Sequence, residues 1–409
     1  MKTPRPDPAL DAWGDPGHYD RNDPFPLFAR VRATGPVHQV QLADGHAAWL
    51  IVGYDEARAA LADPRLSKDM HAALAHSGEV VAEGLPGPAL ARHMLAVDPP
   101  DHTRLRRMAT PAFTRRRVDR LEERIRAIVH DLLDDLAARN GVVDLVAGYA
   151  FPLPFTVICE LLGIPEPDRA DLGRWFRILL SPNPGPDAAA ASEAIVGYLT
   201  ALLDRKRLEP GEDLVTDLVS AARDGALTQQ EMLSTIFQLV VAGHDTTTSL
   251  IGNATVALLR HPSQRDALVA DPGLASRVVE EAMRWDAPVP HSTFRFATED
   301  IPIGDVVIPA YAQVIVSLAA ANRDPARYRE PAAFDIHRTD SAHLALGHGI
   351  HHCLGAPLAR LEGRIALAAV HTRFPTMRLA VDPTELRWGH GDGLVLRGLS
   401  ELPVMHKPH

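Results

Sequence analysis

LGHGIHHCLGAPLARLE, residues 346–362, is the stretch on which the reading of this chain turns. Gly347, Gly349 and Gly355 make a loop whose backbone can approach a flat ligand closely. Cys353 lies in that loop, and Pro357 suits the first turn of a helix that continues through Leu358, Leu361, Ile365 and Leu367. A cysteine just ahead of a helix N-terminus has its thiolate favoured by the dipole and by the exposed N–H groups. Such a thiolate is a candidate nucleophile or metal ligand. Two plainer readings stand beside it. One is a buried cysteine in a glycine-rich turn. The other is a zinc site from His348, His351, His352 and Cys353. That site is weak, because no second cysteine cluster exists and neighbouring side chains would have to converge awkwardly.

The rest of the 409-residue chain narrows the class. At 46% hydrophobic and 23% charged residues it is ordinary globular material, not a disordered, collagen-like or coiled-coil chain. It is long enough to bury a large core without disulfides. A net charge of -10 argues against general nucleic-acid binding. The two cysteines, Cys159 and Cys353, exclude a disulfide framework and fit a reducing compartment. No run of about 18 apolar residues is present, so no transmembrane helix is expected. Met1 to Asp11 reads as neither signal peptide nor anchor. The expectation is a soluble cytoplasmic protein with no nucleic-acid or membrane partner.

Residues 1–26, punctuated by six prolines from Pro4 to Pro26, read as an extended arm, and 27–409 as one domain. Val37–Leu42 and Ala47–Val52 read as a hairpin turning at Asp44-Gly45, followed by a helix from Asp55 to Ala62. Residues 65–97 read as a loop with a short helix. Between Thr114 as N-cap and Asn140-Gly141 as end, apolar residues from Val118 to Leu136 recur at helical spacing. Ser181–Asp187 separates two helices. The longest helix runs from Thr228, which forms a capping box with Glu231, to Arg260. A helix over 274–285 is followed by short strands at Phe294–Thr298, Val306–Ile308 and Val314–Leu318. More short strands follow 377, with turns at 391–393. The class is mainly α with a smaller β region.

The loop around Cys353, with its glycines, His351 and Leu358-Ala359-Arg360, resembles the haem-binding loop of the cytochrome P-450 family. The resemblance implies that family's fold, a helical triangular prism with haem b between a long central helix and the cysteine loop. It implies Cys353 as the thiolate ligand of iron, where it favours O–O cleavage. Leu346, Gly347 and Gly355 frame the same loop, with Leu346 standing where the family usually has Phe. Ala242-Gly243-His244-Asp245-Thr246-Thr247 falls in the long helix. Polar residues there are costly unless they act, or unless the threonines bond back to the helix. In the family, Ala242 and Gly243 leave room for oxygen, and Asp245 and Thr246 are the acid–alcohol pair that guides protons. His102, Arg106, Arg295 and His351 fall where the family holds the haem propionates. Glu281, Arg284 and Arg338 match its buried structural triad.

The activity implied is a monooxygenase that inserts one oxygen atom from O2 into a lipophilic small molecule, by hydroxylation or epoxidation. A macrolide, polyketide, terpenoid or steroid of secondary metabolism is the expected substrate. Pocket segments implied by the family are 65–97, 175–190, 239–246, 288–293 and 391–395. Electrons would come from a ferredoxin and its NAD(P)H-dependent reductase, docking on a basic face that includes Arg104, Arg107, Arg115, Arg116 and Arg117. A monomer is expected. A peroxide-using haem-thiolate hydroxylase and a haem sensor are the rival readings, and Asp245-Thr246 counts against both.

Overall fold

Apolar side chains at helical spacing set most of this chain into helices, and the short strands gather at a few edges. The computed structural model describes residues 13, 20, 22–42, 45–70, 88–180, 185–223, 225–389 and 395–406. Expected features at Asp44, 71–87, 181–184 and 390–394 lie outside them. The chain begins with helix α1 (Phe25–Ala33), hairpin strands β1 (Val37–Gln41) and β2 (Ala47–Ile51), α2 (Tyr54–Ala62) and β3 (Leu66–Ser67). Next come α3 (Asp101–Ala109), α4 (Arg115–Asp119), α5 (Glu122–Ala138), β4 (Val142–Asp144), α6 (Pro152–Leu162) and α7 (Glu166–Leu179). Then follow α8 (Asp187–Leu208), α9 (Leu214–Arg223), α10 (Gln229–Arg260), α11 (Pro262–Ala270) and α12 (Ala275–Trp285). Strands β5 (Arg295–Ala297), β6 (Ile301–Ile303), β7 (Val306–Ile308) and β8 (Gln313–Val316) precede α13 (Leu318–Ala321) and α14 (Ala356–Arg373). The last strands are β9 (Arg378–Leu379) and β10 (Pro403–Met405).

The chain forms two compact units, one from 1–83, 280–353 and 387–397, the other from 84–279, 354–386 and 398–409. The first holds a five-stranded sheet in the order β1-β2-β8-β5-β3, with β2 and β8 parallel and the other pairs antiparallel. Trp49, Ile51, Val314 and Val316 pack on one face, and Ala48, Leu50 and Ile315 on the other. Burial on both faces explains the unbroken apolar run Ala47–Val52. Trp13 is 1% exposed and its ring meets Phe28 and His291. The expected arm ends early, because Phe25 and Pro26 already form the first turn of α1.

A buried ion cluster organises the chain after α12. Arg284 is fully buried and donates to both Glu281 oxygens at 2.7 Å. Its remaining donors reach the carbonyls of Asn322, Pro331 and Ala333. Arg338 approaches Glu281 at 3.3 Å, and the Asp335 amide donates to it at 2.8 Å. The expected structural triad is therefore present.

In the second unit α10 is continuous over 32 residues and packs on α6 and α14. Its capping box is present, with the Glu231 amide donating to Thr228 Oγ1 and the Thr228 amide to Glu231 Oε2. The helix expected from Thr114 is broken. Thr114 flanks only the five-residue α4, its hydroxyl bonds Pro111, and α5 starts at Glu122. Val118 and Ile125 stay buried across the break, so the apolar period alone did not reveal it. Strand β3, in the segment expected as a loop with a short helix, and strands β4 and β6, three residues each, were not expected, and Leu318 belongs to α13.

Glu231 also ties α3 to α10. Arg104 donates to its two oxygens at 2.6 and 3.1 Å, and Arg92 reaches it at 3.4 Å. Arg104 further bonds Asp101 at 2.7 Å. This takes Arg104 from the expected docking face, since its part-exposed guanidinium is committed to Glu231, Asp101 and the Ala226 carbonyl. The Arg104 guanidinium holds the Glu231 carboxyl at about 2, against an ordinary 4.5. A depressed carboxyl contributes stability that is complete above about pH 5 and lost as pH falls toward 2. Glu231→Gln should cost roughly 2–3 kcal/mol at pH 7 and flatten the acid limb of stability between those pH values. Urea denaturation against pH checks it, and equal stability at pH 7 would remove the anchoring role.

Candidate functional site

Two groups of expected residues can be built up separately. In the first unit, Cys353 sits in a loop closed on itself. Its amide donates to the Leu346 carbonyl at 2.8 Å, and the Gly347 amide to Leu344 at 2.8 Å. A 3-10 turn, Gly349–His351, fills the middle. Cys353, His351, Leu346 and Gly347 are half-buried. Gly349 has φ +72°, and a side chain there would meet the Leu61 carbonyl at 2.8 Å. Its glycine therefore serves close packing on the end of α2, in addition to any approach to a ligand. Arg295, at the start of β5, is 3% exposed.

In the second unit, the middle of α10 departs from its surroundings. Ala242 is exposed and Gly243 and Thr246 half-buried, while Val240, His244, Asp245 and Thr247 are buried. The helix is not broken there. Thr246 donates its hydroxyl to the Ala242 carbonyl at 2.9 Å, and Thr248 to His244 at 2.9 Å. The donor of Thr246 is thus spent, and its oxygen retains acceptor capacity. Gly243 has a packing cause: a side chain there would meet Ile158 of α6 at 2.8 Å. The room expected beside Gly243 is on that side already filled. His244 stands edge-on to Phe151, Phe155 and Phe176 and bonds the Val240 carbonyl through Nδ1 at 2.5 Å. Its role in seating α10 against α6 was not legible in the sequence.

On α3, His102 is 3% exposed and Arg106, one turn on, is half-buried. Gly355 directly precedes α14. The structure thus brings Arg295, Leu346, Gly347, His351 and Cys353 into one unit. His102, Arg106, Ala242, Gly243, Asp245, Thr246 and Gly355 belong to the other. Among the described residues no group of three His, Cys, Asp or Glu could hold a metal ion, so His348, His351, His352 and Cys353 do not make a zinc site. Cys159, the other thiol, is fully buried, and burial pushes it up to about 12.

A cleft of about 690 Å³ in the second unit is lined by Arg107, Arg116, Arg117 and Arg120, with Asp217. Arg117 meets Asp217 at 3.2 Å. Arg107, Arg116 and Arg120 are exposed. Arg120 was not among the expected basic residues.

Comparison with known proteins draws on the whole length. The family model described as "Cytochrome P450" matches residues 273–386. The chain is 47% identical over 400 residues to "Cytochrome P450 monooxygenase PikC" of Streptomyces venezuelae, covering 97% of this chain and 94% of that one. It is 41% identical over 391 residues to "6-deoxyerythronolide B hydroxylase" of Saccharopolyspora erythraea, covering 93% and 96%. Among solved structures, the tirandamycin C-bound P450 monooxygenase TamI matches with TM-score 0.86 and 43% identity, over 94% of this chain and 98% of that one. No helix of the described residues is long and apolar enough to cross a membrane.

Proposed function

The chain belongs to the cytochrome P450 family and is a monooxygenase, and on that premise we propose that it hydroxylates or epoxidises a macrolide or related polyketide. Support for the substrate comes from relatives' names, which include "6-deoxyerythronolide B hydroxylase" and "Polyketide biosynthesis cytochrome P450 PksS". Residues 27–409 are taken as one domain, because each compact unit is assembled from separate chain segments and neither can be cut out as a continuous piece.

The observation that carries the reading is the Cys353 loop, which holds a half-buried cysteine just ahead of α14 by the bond from its amide to Leu346. The family implies haem, and we assign haem b. The donors of the first unit suit it: the Cys353 thiol for iron, and Arg295 and His351 for a carboxylate; on the family resemblance we assign His102 and Arg106 to the carboxylates as well. The exposed Ala242 in the middle of an otherwise buried helix fits a flat apolar face. Haem, when bound, supplies the activation of O2, one oxygen going to product and the other to water with two electrons and two protons.

The chain's own residues do the rest. Leu346, Gly347 and Gly355 shape the loop that orients the sulfur. Ala242, small and exposed, keeps the oxygen side uncrowded, while Gly243 lets α10 close on Ile158. We assign Asp245, a buried carboxyl, and Thr246, whose oxygen retains acceptor capacity, as the pair that guides protons inward, in keeping with the family's acid–alcohol pair. Cys353→Ser should abolish the strongly red-shifted Soret band of the reduced carbon monoxide complex, and Cys159→Ser should keep it. An unchanged spectrum in Cys353→Ser would falsify the ligand assignment. Thr246→Ala should still bind haem and substrate yet divert most electrons to hydrogen peroxide or water. Product per NAD(P)H at the wild-type value would sink the proton role.

The electron donor proposed is an acidic ferredoxin with its reductase, docking on the arginine cleft. Three exposed guanidiniums on a chain of net charge -10 make a local field that draws an acidic partner. Arg107→Glu, Arg116→Glu and Arg120→Glu together should slow first-electron transfer about tenfold or more at low salt, the gap narrowing as salt shortens the Debye length below about 10 Å. Stopped-flow rates equal to wild type at low salt, with full haem content, would refute docking there.

A further inference from the structure

Lys68 follows the last residue of β3, and its side chain is 5% exposed. Nothing in the sequence marks it out. The register of β3 on β5 pairs Leu66 with Ala297 and Ser67 with Phe296. Continued one rung past the end of β3, that register would set Lys68 opposite Arg295. The Lys68 ammonium donates to the Thr293 carbonyl at 3.0 Å, to the Phe294 carbonyl at 2.9 Å and to the Thr293 hydroxyl.

The backbone leading into β5 is otherwise held by ordinary amides. Arg397 donates to the Pro288 carbonyl at 2.8 Å and Ala319 to Pro290 at 3.0 Å, while Ser292 donates to Val316 at 2.8 Å. The last two carbonyls before Arg295 are held by a lysine instead. Neutral donors would satisfy them as well. A buried ammonium carries a large desolvation cost. Like charges on facing rungs of a sheet add to that cost. A cation in this place, next to a second buried cation, is favoured when a bound anion shares the field.

We propose that Lys68 is a positioning residue for the cofactor carboxylate held by Arg295. It clamps Thr293 and Phe294, so that Arg295 leaves β5 at a fixed angle. This rests on the haem reading above and on Arg295 as a carboxylate partner. It also gives the substrate-lining segment 288–293 a rigid end at its junction with β5.

The test uses the holoenzyme and the rate of haem transfer to excess apomyoglobin. Lys68→Met should release haem about three- to tenfold faster and lower the iron reduction potential, with Lys68→Arg within about twofold of wild type. Arg295→Met alone should also release haem faster. Adding Lys68→Met to Arg295→Met should change neither release nor potential further, because Lys68 acts through Arg295. Wild-type release from Lys68→Met, or a full multiplicative effect in the double variant, would overturn the proposal. The reduced carbon monoxide spectrum of the wild type reports separately on thiolate ligation. A failed haem reading is thereby told apart from a failed role for Lys68.

Discussion

Glu281 is the carboxylate around which the first unit is assembled. Two arginines converge on it, and Arg284 continues outward to three backbone carbonyls between Asn322 and Ala333. Those carbonyls belong to irregular chain, which has no ladder of its own to satisfy them. One bidentate guanidinium does the work of several strand bonds, and it does so where water is excluded. Asn322, whose carbonyl accepts from Arg284, also receives the Leu344 amide on its side-chain oxygen at 2.7 Å. Leu344 in turn accepts from Gly347, the first glycine of the cysteine loop. The position of Cys353 is therefore referred back, bond by bond, to a salt bridge on α12.

Glu231 has the same logic in the second unit. It closes the capping box of α10 and receives Arg104 from α3. The helix that carries His102 and Arg106 is thus indexed to the start of the helix that carries Asp245 and Thr246. In both units the cation–anion contact is nearly dry on the acid side, with Glu281 and Glu231 each 2% exposed. Removing one partner would leave a buried charge, which is far costlier than losing a surface pair. The site residues themselves need not be stable in isolation; the ion contacts behind them supply the rigidity.

Much of this was legible in the sequence because the informative signals are local. A glycine-rich loop before a proline-opened helix, a capping box, and an acid three residues from an arginine all lie within one or two turns. The long helix and the strands Val306–Ile308 followed from periodicity. What escaped was either too short or too distant. Strands of three residues, β4 and β6, are below the length at which alternation can be counted. Lys68 meets carbonyls 225 and 226 positions away, and Arg104 meets Glu231 at 127. Such pairings depend on register and helix docking, which no single-sequence pattern encodes. Gly243 was legible as a special position but not in its cause, since Ile158 comes from another helix.

The contact of Gly349 with the end of α2 reaches beyond packing. A methyl group at 349 would collide with the Leu61 carbonyl and with Ala62, both backbone-bound features of another element. The cysteine loop and the helix Tyr54–Ala62 are consequently a matched pair of parts. A loop transplanted from a relative would fit only if its host ended that helix at the same height. Recombination between relatives should therefore respect the pair, inheriting 54–62 and 346–353 from one parent although nearly 300 residues separate them.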